Sequence, residues 1–579
     1  MRQVKITRCL LALSLTLAAG ACAKKDEPGG EGGTGGGFNA GLTEVVNPST
    51  ASGGTLKLAS AHDVDSWDPT RSYVTAVYNL QRLYVRTLLT PDAKPGADGL
   101  KLVPDLAAAA PTISADGLTY TFTLRDGIRF EDGSPITSKD VRHGIERLFA
   151  QEELSGGPTY LIDQLDQGQH YRGPWADSTG LRSIATPDDR TVTFKLAEPF
   201  ADFPYLLAMG VAAPVPAAKD TGAKYGDKPV ASGPYRFESI EPGKGAVLVR
   251  NDAWDRATDT VRRALPDRVE LVIGTDPNEI DRQLLDGTLD ADAGQGGVQA
   301  ATQPKILLDP ALKARADEPT TGFVQYAAMS TAVPPFDNVH CRRAVQYAVD
   351  KTAVQTARGG PDAGGDIAGG MLPPGIPGHD PGLDPFQSGG GAPQPQKAKE
   401  ELAACGRPDG FETVIAATDS PRAGKTAEAI QASLAAVGIK ARIEASDPSL
   451  YARQVVGSPS NVHAKGYGLI LSAWSADFPT GYGFFPTLVD GRLILPNGNN
   501  NYAELSDAAI NDLIDRARAT TDPVAGAKLW SQVDAAVMDT AAMLPLTYDK
   551  VLNYRNPRLT NVFVNQYYGM WDATALGVA

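Results

Sequence analysis

Cysteine is scarce in this 579-residue chain, with four in all, and there are only six histidines. No two histidines stand at a helical metal-ligand spacing, and neither a His-Glu-x-x-His nor a Gly-x-Ser-x-Gly run occurs. The usual sequence signs of a zinc or serine hydrolase are therefore missing. A basic stripe is missing too: 54 Lys plus Arg stand against 68 Asp plus Glu, a net charge of −14, so no nucleic-acid partner is expected. Acidity of this kind serves solubility. No apolar run near the N-terminus can span a bilayer, since Cys9–Ala19 falls well short of the ~20 residues required. What remains is a globular mixture, 42% hydrophobic and 21% charged, which excludes a polytopic membrane protein and a wholly disordered chain. The length exceeds what one core holds, so a few large lobes are expected.

The N-terminus points to export. Arg2, Lys5 and Arg8 precede the apolar run, and Ala19-Gly20-Ala21 precede Cys22, the layout of a signal peptide. The cysteine after small residues resembles the lipobox of bacterial lipoproteins, departing from it in having Ala19 where Leu is usual. That resemblance implies removal of residues 1–21 and lipidation of Cys22; a plain secretory signal is the alternative. Ala23–Gly37 is Lys-, Asp-, Glu- and Gly-rich and reads as the start of a flexible tether over residues 22–52. Cys9 leaves with the signal, so Cys341 and Cys405 remain as a pair in an oxidising compartment. One disulfide is expected, closing a ~65-residue loop worth about 4 kcal/mol on the chain-entropy model. Two buried free thiols are the alternative.

From Gly53 onward the pattern is α/β. Leu118–Leu124 and Thr191–Leu196 alternate as strands after turns. Between them Thr137 or Ser138 can cap a helix with Val141, Ile145, Leu148 and Phe149 on one face. Ser506 is positioned to cap a helix through Ile510, Leu513, Ile514 and Ala517, and Asp522-Pro523 to open another. Gly359–Gln396, rich in Gly and Pro, reads as loop with enough apolar residues to pack on a surface.

Three chemical leads weaken on inspection. Ala423-Gly424-Lys425-Thr426 has the tail of a phosphate loop, but Asp419 stands where its first glycine belongs, so strand, turn and helix are expected instead. Asp286–Asp292 lacks the order of a calcium loop and reads as a helix end. His62, Asp63 and Asp65 read as a strand-end turn. Neither metal nor cofactor is expected.

Several separated segments together resemble the family 5 extracellular solute-binding proteins of ABC importers, the oligopeptide- and dipeptide-binding group. Asp116–Phe149 (DGLTYTFTLRDGIRFEDGSPITSKDVRHGIERLF) is similar to the family signature, and Ala231–Trp254 (ASGPYRFESIEPGKGAVLVRNDAW) to its Gly-Pro-Tyr strand pair. Pro335–Lys351, Lys397–Gly406, Gly438-Ile439-Lys440 and Asn500–Arg518 continue the match in order. The resemblance implies a two-lobed periplasmic-binding-protein fold of α/β class with a hinge. Lobe I would comprise residues 53–90, 230–319 and 545–579, a subdomain inserted at 91–229, and lobe II residues 320–544. The crossings are expected near Thr321–Thr331 and Pro545–Leu552.

The resemblance also implies a site. In peptide-binding members a Trp-x-x-Asp loop offers its carboxylate to the peptide α-amino group, and Trp474-Ser475-Ala476-Asp477-Phe478 looks like that loop. Asp477, Trp474, Phe478 and the upstream Ser472 are candidate ligand contacts, with Tyr73 a further cleft candidate. Trp474 as core and Asp477 as a turn residue is the alternative. A cleft carboxylate open to water would contribute little to folding. The expected protein is a monomeric, lipid-anchored, extracytoplasmic receptor passing peptides to ABC permease subunits. A same-fold receptor for an oligosaccharide or metal chelate is the runner-up, and an exported hydrolase the third.

Overall fold

The computed structural model describes residues 36–387 and 390–579; the signal, Cys22 and most of the expected tether lie outside the described residues. Three sheets organise the rest. In the first, Ala291–Asp292, Thr55–Ser60, Arg268–Ile273, Gly245–Arg250 and Tyr235–Glu241 lie side by side. Thr55–Ser60 runs parallel to both of its neighbours, whereas the last two strands join by antiparallel pairing. Leu56, Leu58, Val269, Leu271, Ala246 and Leu248 fill one core with the C-terminal residues Leu559, Val562 and Trp571.

The second sheet is antiparallel, in the order Thr112–Ile113, Thr119–Thr123, Thr191–Lys195, Ile184–Ala185. Tyr120 and Phe122 alternate inward, as do Val192 and Phe194, which is the period of a half-buried strand. Helix Ser138–Arg147 covers this face. Its capping box is built by Asp140, whose carboxylate accepts from the Thr137 amide at 2.8 Å and hydroxyl at 2.7 Å. Val141, Ile145, Leu148 and Phe149 are all buried.

The third sheet has six strands: Asp366–Ile367, Met543–Lys550, Thr320–Met329, Tyr467–Ser475, Glu412–Thr418 and Lys440–Ser446. Glu412–Thr418 is parallel to both neighbours, so helix Pro421–Ala435 makes the crossover to Lys440–Ser446. The Ala-Gly-Lys-Thr run lies in the first turns of that helix. Helices Val339–Ala348 and Pro395–Ala404 pack together, and Cys341 and Cys405 form a disulfide across them with Cα atoms 5.3 Å apart.

Four expectations need correction. Residues from 36 onward are docked: the Asn39 amide donates to the Ala316 carbonyl at 3.0 Å and Val46 pairs with Val562, so the expected tether ends well before residue 52. Strand Met543–Lys550 keeps its pairing to Thr320↔Lys550, so the chain leaves the six-stranded sheet after Lys550 rather than Leu544. The cap of helix Ala508–Ala519 is Asp507, whose carboxylate reaches the Ala509 and Ile510 amides, and not Ser506. The Gly- and Pro-rich stretch is not wholly loop, because Asp366–Ile367 adds an edge strand and Met371, Leu372, Ile376 and Phe386 enter the core. Asp286 ends helix Pro277–Asp286, and His62 lies in a bend after Thr55–Ser60. No group of three metal-ligating side chains and no helix fit to cross a membrane occurs among the described residues.

Candidate functional site

Strand Tyr467–Ser475 feeds the Trp474–Phe478 segment directly into a tight loop. The Asp477 amide donates to the Gly483 carbonyl at 3.1 Å, and the Gly483 amide donates to the Thr480 hydroxyl at 3.2 Å. A Cβ on Gly483 would sit 2.4 Å from the Phe478 carbonyl oxygen, so glycine is required for this closure. The loop therefore holds Asp477 by its own backbone.

Two tyrosines from outside the six-stranded unit meet that carboxylate. Tyr73, 404 residues away in sequence, donates its hydroxyl to Asp477 Oδ2 at 2.9 Å, and the Tyr160 hydroxyl donates to the same oxygen. Tyr73 is itself aimed by Asp65, which accepts from the Tyr73 amide at 2.6 Å and the Ser72 hydroxyl at 2.9 Å. Oδ1 has no protein donor among the described residues. Burial pushes the Asp477 carboxyl above its ordinary range, and the two hydroxyls oppose that only in part. The carboxylate is half-buried and lines a cavity, so the expectation of one open to water is met only in part.

The other expected contacts separate into distinct surroundings. Phe478 is 1% exposed and lies in the core of the antiparallel sheet, edge-on to Tyr160 at 5.5 Å and stacked on Tyr205 at 6.0 Å. Trp474 packs at the edge of the six-stranded core, its indole donating to the Phe484 carbonyl at 3.1 Å. Ser472 lines a different cavity, described next. Tyr160 carried no motif, and neither did Gln325, Arg358, Arg422 or Asp549 of that cavity.

Three cavities adjoin this segment; one is lined by Ser475, Ala476 and Pro479 together with Thr320, Thr321 and Gly322, and the other two bear on the expected contacts. The smaller runs from Asp477 past Gln81, Arg82 and Tyr567. Its arginines are already matched, Arg82 by Asp572 at 3.0 Å and Arg262 by Asp105 at 2.8 Å, so Asp477 is its uncompensated charge. The larger, about 320 Å³, lies at the carboxyl end of Glu412–Thr418, lined by Gln325, Arg358, Thr418, Arg422, Ser472 and Asp549 among others. In open α/β sheets ligands bind at that end.

Two lobes carrying an inserted antiparallel sheet, with cavities beside the loop between them, define a two-lobed binding protein of the periplasmic type. Residues 101–493 match the model for bacterial extracellular solute-binding proteins, family 5, and the chain belongs to that family. The chain is 26% identical over 483 residues to the glutathione-binding protein GsiB of Salmonella typhi, covering 81% of this chain and 85% of that one. It is 27% identical over 476 residues to heme-binding protein A of Haemophilus influenzae, covering 80% and 81%. Among solved structures it matches clavulanic acid biosynthesis oligopeptide binding protein 2 at 47% identity and a TM-score of 0.91, covering 94% of this chain and 99% of that one.

Proposed function

We propose that the protein is a lipid-anchored receptor that closes two lobes around a peptide and delivers it to an ABC permease, acting by binding and not by catalysis. The observation that carries this reading is Asp477: a half-buried carboxylate facing a cavity, held by two hydroxyls on one oxygen, with no cation beside the other among the described residues. A buried carboxylate favours a charge partner, and a free peptide amino terminus supplies one. Similarity to an oligopeptide-binding and a glutathione-binding protein supports the same chemistry, since both kinds of ligand carry an ammonium group. Lobe I, in this reading, comprises the first sheet with its C-terminal strands, and lobe II the six-stranded sheet. The crossings are Glu318–Pro319 and Val551–Leu552, where the chain passes from one sheet's pairing to the other's. Closure about them is a hinge motion.

Membership of a solute-binding family over most of the chain supports binding rather than hydrolysis. Titration calorimetry of the purified protein with short peptides, free or acetylated at the amino end, tests the proposal. Free peptides should bind and acetylated ones should bind far more weakly; equal binding removes the ammonium and the peptide reading with it.

A further inference from the structure

One corner of lobe I combines an exposed apolar tip with cations that have no acid to pair with. Helices Gln303–Leu308 and Pro310–Lys313 meet there at Asp309. Ile306 is wholly buried in one core with Ala59, Ile280 and Leu284, and Leu307 and Leu312 pack against it, which fixes the helix pair to the first sheet. Leu308 instead is 82% exposed, and Pro310 and Ala311 beside it are exposed as well. A lone exposed leucine needs no explanation; its surroundings are what sets this one apart. The chain carries a net charge of −14, yet Lys305, Lys313 and Arg315 cluster here and none belongs to a salt bridge among the described residues. Lys313 lies 4.7 Å over the Phe38 ring. Asp309 is the one acid in residues 303–316, and it serves as a cap, its carboxylate accepting from the Ala311 and Leu312 amides at 2.8 and 3.3 Å.

The same corner receives the N-terminal segment. Arg555 donates to the Gly36 and Gly37 carbonyls at 3.3 and 3.0 Å and to the Ala314 carbonyl at 2.6 Å, and the Asn39 amide donates to the Ala316 carbonyl. Only residues 22–35 separate this point from the cysteine read as the lipid site, a reach of at most about 50 Å.

We infer that this corner rests on the anionic surface of the membrane, with Leu308 entering the boundary between headgroups and acyl chains and Lys305, Lys313 and Arg315 pairing with lipid phosphates. The inference rests on the lipid-anchored reading above and adds the orientation that the anchored body takes. Lobe I alone makes the contact, so lobe II closes over a cargo without lifting the body from the membrane.

Fluorescence on tethered protein decides it. The chain from residue 22, with Cys22→Ser and a hexahistidine tag in place of the signal, is held on nickel-chelating vesicles of phosphatidylcholine, alone or mixed with phosphatidylglycerol. The tag supplies a tether whether or not the cell adds a lipid, so release of Cys22→Ala judges the anchor and this experiment judges the face. A polarity-sensitive fluorophore is placed on Ala311→Cys or, as a control, on Val524→Cys, which is 78% exposed on helix Pro523–Asp539 of the other lobe; Cys341 and Cys405 are already joined. Thermal melts check that each variant is folded. On anionic vesicles the label at 311 should shift to the blue and be quenched by lipid-borne nitroxides, and the label at 524 should do neither. Each cation at such a surface is worth about a factor of five, so Lys305→Gln with Arg315→Gln should lower the ratio of seated to free protein about 25-fold. Leu308→Ser should lower it roughly tenfold or more. Equal signals at 311 and 524, equal signals on both kinds of vesicle, or a signal that survives either substitution overturn the inference. A blue shift without vesicles that grows with protein concentration overturns it too, and assigns the corner to a second copy of the chain.

Discussion

Replacing Asp477 tests the site where its chemistry is concentrated. If the carboxylate pairs with a ligand ammonium inside a closed cleft, Asp477→Ala leaves that charge buried and unpaired. Truncating one side of such a pair costs about 2–5 kcal/mol in binding, or roughly 30- to 5000-fold in affinity. Asp477→Asn is the sharper variant, because its carbonyl oxygen can still accept from Tyr73 and Tyr160 while the charge is gone. Burial holds the Asp477 pKa above the ordinary carboxylate value, so the folded protein keeps this proton more tightly than the unfolded chain. The ionised group therefore costs stability, a cost that appears as pH rises through the folded pKa and vanishes below the unfolded one. Unliganded Asp477→Asn should melt at or above wild type at pH 7, and the difference should shrink towards pH 4. Ligand affinity should run the other way: wild-type binding weakens as acid protonates Asp477, whereas the variant's weak binding is flat with pH. Calorimetry and thermal melts across pH read both. A variant that melts below wild type at pH 7 yet binds free peptide normally would refute the reasoning on both counts.

Cys22→Ala should release the protein from membranes while leaving its melt unchanged; a variant that remains bound after a salt wash points to another anchor. Replacing Cys341 and Cys405 together by alanine should lower the unfolding free energy by up to ~4 kcal/mol on the chain-entropy model, given their separation of 64 residues; denaturant titration measures it, and an unchanged midpoint rejects it. Glu318, at a proposed crossing, is raised by burial to about 7, with Lys550 opposing and Asp362 and Asp366 reinforcing. As the folded form holds the proton more tightly, wild-type stability should fall relative to Glu318→Gln as pH rises from about 4.5 to 7; parallel melting curves across that range would exclude the effect.

The fold was legible where its signals are local. Alternating Tyr120 and Phe122, or the helical spacing of Val141 and Ile145, need only a few neighbours to be read, and the Trp474–Phe478 segment was visible as a loop motif. What escaped depends on distant partners. Tyr160 finds Asp477 across 317 residues and Arg358 finds Asp549 across 191, and neither pairing leaves a mark on adjacent sequence. Gly36–Asn47 looked like tether because Gly-rich composition says nothing of backbone docking. There Arg555 donates to the Gly37 carbonyl at 3.0 Å, and Asn39 adopts a left-handed φ of 65°. Ser506 and Asp507 are both good caps, so only the structure distinguishes them.

The geometry bears on what closes the lobes. Phe478 is sunk in the core of the inserted sheet, Phe200 meets Tyr482 at 4.6 Å, and Arg518 pairs with Glu198 at 2.6 Å. These are contacts between protein groups, available to any closed molecule whatever it carries. A ligand shifts an opening equilibrium only by its differential affinity for the two forms, and reversing a 1:99 bias to 99:1 takes about 5.5 kcal/mol. Charge-assisted hydrogen bonds contribute about 1.5–3 kcal/mol each. One at Asp477 alone falls short of that shift. On these magnitudes a single ammonium contact would not complete such a shift, and further contacts with the cargo would have to supply the rest.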